Sequence, residues 1–167
     1  MQTTGSAHLR AVALAVALAA AACGGQGKGA QGAAATGDVA GDILRGVEQW
    51  RQAYEVRSLE AMSPLYTHAD DVVRIHQGRA VKGWREVENQ LHGDLTHAQE
   101  IHVRLKDIQV VPLGPKAVAV TSAITRDVSD GVTTVTETGF LSLVLRVEGE
   151  RWVIVSEHYS FAPQPSS

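Results

Sequence analysis

One cysteine stands in 167 residues, so no internal disulfide can form and no cysteine framework for zinc is available. The fold must be held by burial alone. No run of apolar residues reaches membrane-spanning length: Ala11 to Ala20 supplies ten, and a helical span needs about 20. Neither sign of charge dominates. Fifteen Lys and Arg stand against 18 Asp and Glu, a formal net charge of −3, which gives no general attraction toward nucleic acid or anionic lipid. Phosphate-cradling loops, the Rossmann glycine signature and the serine elbow are all missing, which removes the usual sequence marks of nucleotide and serine-nucleophile chemistry.

What is present begins at the N-terminus. Arg10 precedes the apolar run, and Ala20, Ala21 and Ala22 follow it, the pattern of a secretory signal over residues 1–22. The lone Cys23 sits directly after those small residues. That placement resembles a bacterial lipobox, with Ala20 where Leu is usual, and implies a lipid on Cys23. Ordinary cleavage at an Ala-x-Ala site is the alternative. Removing residues 1–22 leaves 145 residues and a formal charge of −4, enough for one domain. After Cys23 the chain to residue 37 is Gly, Ala and Gln apart from Thr36 and one charge, Lys28, and residues 23–37 read as a lipid-anchored flexible linker. Residues 38–162 form the expected domain, and 163–167, with Pro163 and Pro165, form a frayed tail. This places the protein at the cell envelope, facing the periplasm or the exterior.

Apolar spacing predicts the elements. Ile43, Val47, Trp50 and Tyr54 recur at intervals of four, three and four, one face of a helix. A second short helix over residues 59–66 turns Leu59, Met62, Leu65 and Tyr66 inward. Residues 71–76 read as a short strand, Gln77 to Arg79 as a turn, and residues 80–82 as its return. Trp84, Val87, Leu91 and Leu95 mark a third helix. Ile101, Val103 and Leu105 then alternate as in a strand, and the phase changes at Asp107, the sign of a bulge. Gly114-Pro115, Asp130-Gly131 and Gly149 separate three further strands, with Asp130-Gly131 expected as a two-residue hairpin. The order predicts an α+β fold: a cone-shaped barrel whose strongly curved antiparallel sheet wraps on three N-terminal helices, with a pocket at its mouth.

Several segments also resemble a known group. Trp50-Arg51-Gln52-Ala53-Tyr54, Leu65-Tyr66, Asp71-Val72-Val73, Gly83-Trp84 and the closing stretch from Gly149 to Ser160, read as G-x-R-W-x-I-V-x-E-H-x-S, resemble the SnoaL-like branch of the nuclear-transport-factor-2-like superfamily. The likeness runs over about residues 40–162. It implies a curved sheet on three helices and a homodimer formed through the sheet. The cavity in such proteins serves isomerases, cyclases, dehydratases, hydrolases and members without known chemistry. The aspartate and tyrosine set of ketosteroid isomerase-like members has no residue-by-residue counterpart here, Asp70 and Asp71 reading equally well as a turn.

Two residues are candidates for proton transfer. His158 belongs to the closing motif, whose histidine, by the resemblance, tends to lie near the cavity. Strand alternation groups it with Trp152, Ile154, Ser156 and Ser160. Glu137 interrupts an apolar row formed by Val135, Leu141, Leu143 and Leu145, so it is either buried and paired or at the mouth. For each, a plain structural role is the competing explanation. Arg104 and Arg126 lie within strands, suited to neutralise Glu137 or to grip an anionic ligand. Trp50, Tyr54, Tyr66 and Trp84 supply the helix-side ligand wall or ordinary core. No metal or cofactor is expected: His92, His97 and His102 recur every five residues, about 140° apart on a helix, and His68 with Asp70 lacks a third ligand. Two functions follow. One is an anchored lipoprotein that binds a small apolar molecule or an envelope protein without catalysis. The other is an acid–base enzyme acting on a small organic substrate through His158 and Glu137.

Overall fold

The computed structural model describes residues 37–162. The expected signal segment, Cys23, the linker up to residue 36 and the tail lie outside the described residues. Three helices and six strands follow in the order α1 (Gly37–Glu55), α2 (Leu59–Met62), β1 (Val73–His76), β2 (Arg79–Lys82), α3 (Trp84–His97), β3 (Glu100–Gly114), β4 (Ala117–Ser129), β5 (Thr134–Glu148) and β6 (Arg151–Phe161). Among the described residues, no helix is long and apolar enough to cross a membrane.

The apolar stripe of α1 is what its spacing predicts: Ile43, Val47, Trp50 and Tyr54 are all buried against the sheet. The helix ends where Arg57 turns left-handed, its N–H bonding Tyr54 O while the Ser58 N–H bonds Ala53 O. Ser58 then caps α2 by accepting the Ala61 N–H. The second helix is shorter than expected, because Pro64 falls in a 3-10 turn over Ser63–Leu65. Met62 and Tyr66 are buried as the pattern requires. Val87, Leu91 and Leu95 bury one face of α3.

The strands form one sheet in the order β2-β1-β6-β5-β4-β3. It has two edges, so it is a curved open sheet and not a closed barrel. It is also mixed: β1 pairs with β6 in parallel, Arg74 lying opposite Glu157, whereas the sequence pointed to antiparallel pairing throughout. The bulge expected at Asp107 is there, with a left-handed Asp107 and a register shift between Lys106 and Gln109. The β4–β5 connection is a four-residue loop instead of a two-residue hairpin. The Asp130 carboxylate accepts the N–H groups of Val132 and Thr133 and closes the wider turn.

A second bulge was not anticipated. Val144 pairs with Ser156 and Leu145 with Ile154, so Val155 is the extra residue of β6. The inward face changes phase there: Ile154 is buried before it, Glu157 and Tyr159 after it. Ile154 and His158 therefore do not share a face. Nearby, Gly139 pairs with Phe161, and a Cβ on it would strike the Ser160 carbonyl oxygen and lie 2.8 Å from Phe161 Cα. Gly139→Ala is expected to destabilise the fold by about 1–3 kcal/mol, prying β5 from β6. Thermal denaturation checks this, and an unchanged melting temperature would refute the close approach.

Candidate functional site

A cavity of about 560 Å³ opens between β1, α3 and the loop end of β4 and β5. Ala98, Ile101, Val128 and Val135 give it an apolar wall, and Asp130, Thr133 and His97 stand among the other lining groups. Its polar floor comes from five elements: Tyr54 from α1, His76 from β1, Asp94 from α3, Arg126 from β4 and Glu137 from β5. Arg126 and Glu137 are direct cross-strand partners, so the sheet register itself sets the pair.

Arg126 organises the floor. Its Nε donates to Glu137 Oε2 at 2.8 Å, and Nη2 donates to the same oxygen. Nη1 donates to the Tyr54 hydroxyl at 2.7 Å, and Nη2 to His76 Nε2 at 2.9 Å. The guanidinium also lies 5.0 Å from the Phe161 ring centre, 5.6 Å from Tyr159 and 5.7 Å from Tyr54. A guanidinium only donates, so His76 Nε2 must be the unprotonated nitrogen. The imidazole proton then sits on Nδ1, which faces Asp94 Oδ2 at 3.0 Å. Gln77, held with positive φ in the β1–β2 turn, completes the floor by donating to Glu137 Oε1 at 3.2 Å.

Behind the floor runs a buried polar chain. Arg74 Nη2 lies 2.8 Å from Asp94 Oδ2, its Nη1 donates to Gln90 Oε1 at 2.8 Å, and its Nε donates to Glu157 Oε2 at 3.3 Å. The side chains of Arg74 and Glu157 are both 0% exposed. Tyr66 donates its hydroxyl proton to Glu157 and accepts the indole N–H of Trp50 at 3.1 Å. Burial pushes the hydroxyls of Tyr54, Tyr66 and Tyr159 above the ordinary tyrosine range, so all three stay protonated at neutral pH.

Asp94 is held the other way. Burial raises its carboxyl, but the His76 hydrogen bond and the Arg74 charge outweigh that, and its pKa lies below the usual value. A carboxyl lowered on folding adds stability above its unfolded pKa. That stability is lost as pH falls through the lower folded value. Stability is therefore expected to drop on acidification below about pH 4, and Asp94→Asn should flatten that part of the curve. Urea unfolding across the acid range checks it; an unaltered slope in Asp94→Asn would contradict the assignment.

The candidates from sequence are distributed unevenly. Tyr54, Arg126 and Glu137 meet in the cavity. His158 does not join them: it is exposed, on the sheet face opposite Glu157 and Tyr159, because the Val155 bulge sets that parity. Trp50 is fully buried behind Tyr54, their ring centres 5.4 Å apart. Tyr66 belongs to the polar chain and borders a separate depression with Leu59, Ser63 and Arg151. Trp84 is half-buried and stacks on His68 at 4.2 Å. Arg104 is exposed and pairs with Asp127 at 2.7 Å, away from Glu137. Among the described residues, no group of three or more His, Cys, Asp or Glu is placed to hold a metal.

His76, Asp94, Arg74 and Glu157 went unremarked in the sequence. One signal was available: Asp94 lies three residues after Leu91, on the buried stripe of α3, and a charge on an apolar face asks for a partner.

Comparison with protein families matches residues 43–164 to the SnoaL-like domain. The chain belongs to the SnoaL-like family. A search of curated proteins finds none that matches this SnoaL-like chain. Among solved structures, a nuclear transport factor 2-like superfamily protein from Salmonella enterica superposes with a TM-score of 0.70 at 18% identity, covering 79% of this chain and 96% of that one. A provisionally named dehydratase of the NTF2-like family from Streptomyces avermitilis gives 0.69 at 21%, covering 76% and 98%. A provisionally named scytalone dehydratase from Novosphingobium aromaticivorans gives 0.69 at 11%, covering 75% and 85%. At these identities the likeness is one of fold, and the fold serves ligand binders and enzymes alike.

Proposed function

We propose that this SnoaL-like protein holds a small organic molecule in its cavity and does not transform it. One observation carries the reading. His76 Nε2 accepts a hydrogen bond from Arg126 at 2.9 Å. A general base needs that lone pair free and within reach of the proton it removes. In the resting site a cation occupies it. The remaining geometry suits retention: an apolar wall for a ligand body and a fixed polar floor for one end. The floor favours a ligand with a polar terminus over a wholly apolar one. The signal pattern and Cys23 support an envelope location, with the pocket tethered outside the membrane.

Acid–base catalysis is the second reading, and the His76–Asp94 contact favours it. A carboxylate on Nδ1 is the arrangement that fixes an imidazole for proton transfer through its other nitrogen. Two fold neighbours carry dehydratase names. On that reading a substrate first draws Arg126 away from Nε2. The readings separate by mass spectrometry. Whatever co-purifies with the protein is extracted, incubated with fresh protein and analysed again. Recovery of the compound unchanged is expected. Conversion that His76→Ala abolishes would replace the binding reading with the enzymatic one.

A further inference from the structure

Resting on that binding reading, we infer that the cavity selects a small organic cation: a protonated amine that also carries a hydroxyl or carbonyl oxygen. Arg126 in isolation suggests the reverse, a grip for an anion. The lining contradicts this. Asp94, Asp130 and Glu137 face one guanidinium, leaving two negative charges in excess when His76 and His97 are neutral. Directly behind them, Arg74 and Glu157 add one charge of each sign. Arg126 is also committed already. Glu137, Tyr54 and His76 take bonds from all three of its nitrogens, and an incoming carboxylate would have to displace Glu137 to be gripped. An anion would meet net repulsion from this lining, and a cation would meet the opposite.

Two atoms say how such a ligand is held. Asp94 spends Oδ2 on His76 and Arg74, and among the described residues nothing donates to its Oδ1. That oxygen is free to accept from an ammonium. Tyr54 is fully buried and accepts from Arg126, and its own hydroxyl proton has no acceptor among the described residues. A buried donor left open toward a cavity asks for a ligand oxygen. An amine with a nearby hydroxyl satisfies both atoms, and the apolar wall of Ala98, Ile101, Val128 and Val135 takes a ring or short chain.

Three probes of one shape test this: phenylethanolamine, styrene glycol and mandelate. Each keeps the ring and the benzylic hydroxyl, and they differ in carrying a positive, zero or negative charge. Each is titrated into the full chain at neutral pH and low salt, followed by amide shifts of Ile101 and Val128. Phenylethanolamine is expected to bind about tenfold more tightly than styrene glycol, with mandelate weakest. The preference should shrink as salt rises. Glu137→Gln releases Arg126 from its carboxylate and should strengthen mandelate while weakening the amine. Asp130→Asn, an exposed change, should weaken the amine alone. Styrene glycol or mandelate matching or exceeding the amine on the unmodified protein would overturn the cation inference and leave the binding reading standing. Failure of all three to move the cavity amides would overturn the binding reading and this inference with it.

Discussion

Arg74→Met is expected to lower the unfolding free energy by about 3–5 kcal/mol. Arg74 and Glu157 are paired at 0% exposure, and the methionine leaves Glu157 as a buried carboxylate with no cation. Asp94 loses its Arg74 contact in the same step, so the damage reaches the cavity floor. For a domain of this size the melting temperature should fall by roughly 10–20 °C. A buried ion pair is seldom better than a well-packed apolar pair, because desolvation opposes the Coulomb attraction. The double variant Arg74→Met with Glu157→Leu should therefore recover a large part of the loss. Circular dichroism melts decide the matter. A single variant within about 1 kcal/mol of the parent would refute the Arg74–Glu157 pair as a support of the fold.

Trp50→Ala is expected to cost a similar amount, about 3–5 kcal/mol, for a different reason. The indole is fully buried, with ring centres 5.4 Å from Tyr54 and 6.4 Å from Tyr159. Removing it opens a void under α1 beside the cavity floor. Its N–H also orients Tyr66, whose hydroxyl serves Glu157. Trp50→Phe keeps most of the volume and loses the donor, and should cost only about 1–2 kcal/mol. The two variants separate packing from hydrogen bonding in chemical denaturation. Equal losses in both would assign the effect to the hydrogen bond and contradict the packing account.

These residues also mark how far the sequence could be read. The stripe Ile43, Val47, Trp50 and Tyr54 announces a helix and its buried face, because period and burial coincide. Asp107 announces a bulge, because a phase change in an alternating strand has few other causes. Glu137 stood out as a charge in an apolar row, and it is buried against Arg126. The other half of the site was silent. In β1, Arg74 and His76 are buried while Val73 and Ile75 are partly so, and Val72 just before the strand is buried as well. Apolar residues thus occur at both parities, and a four-residue strand cannot say which face is inward. Its parallel seat beside β6 depends on residues about 80 positions away, which leave no local pattern. The Val155 bulge is equally mute, since apolar residues stand on both sides of it. Strict alternation grouped His158 with Ile154, and the bulge separates them; the resemblance, not the alternation, pointed His158 toward the cavity.

The sixth strand in chain order is the one that fills the middle. Arg151–Phe161 slots between β1 and β5, joining the short hairpin to the long meander. Synthesis runs from the other end, so Arg74 emerges 83 residues before the carboxylate that neutralises it. Until Arg151–Phe161 has been made, the nascent chain carries an open seam and an Arg74 without its Glu157 partner, and cannot close. Synthesis of Arg151–Phe161 is thereby the trigger for closing the sheet, and a chain that stops before Arg151 has no route to it.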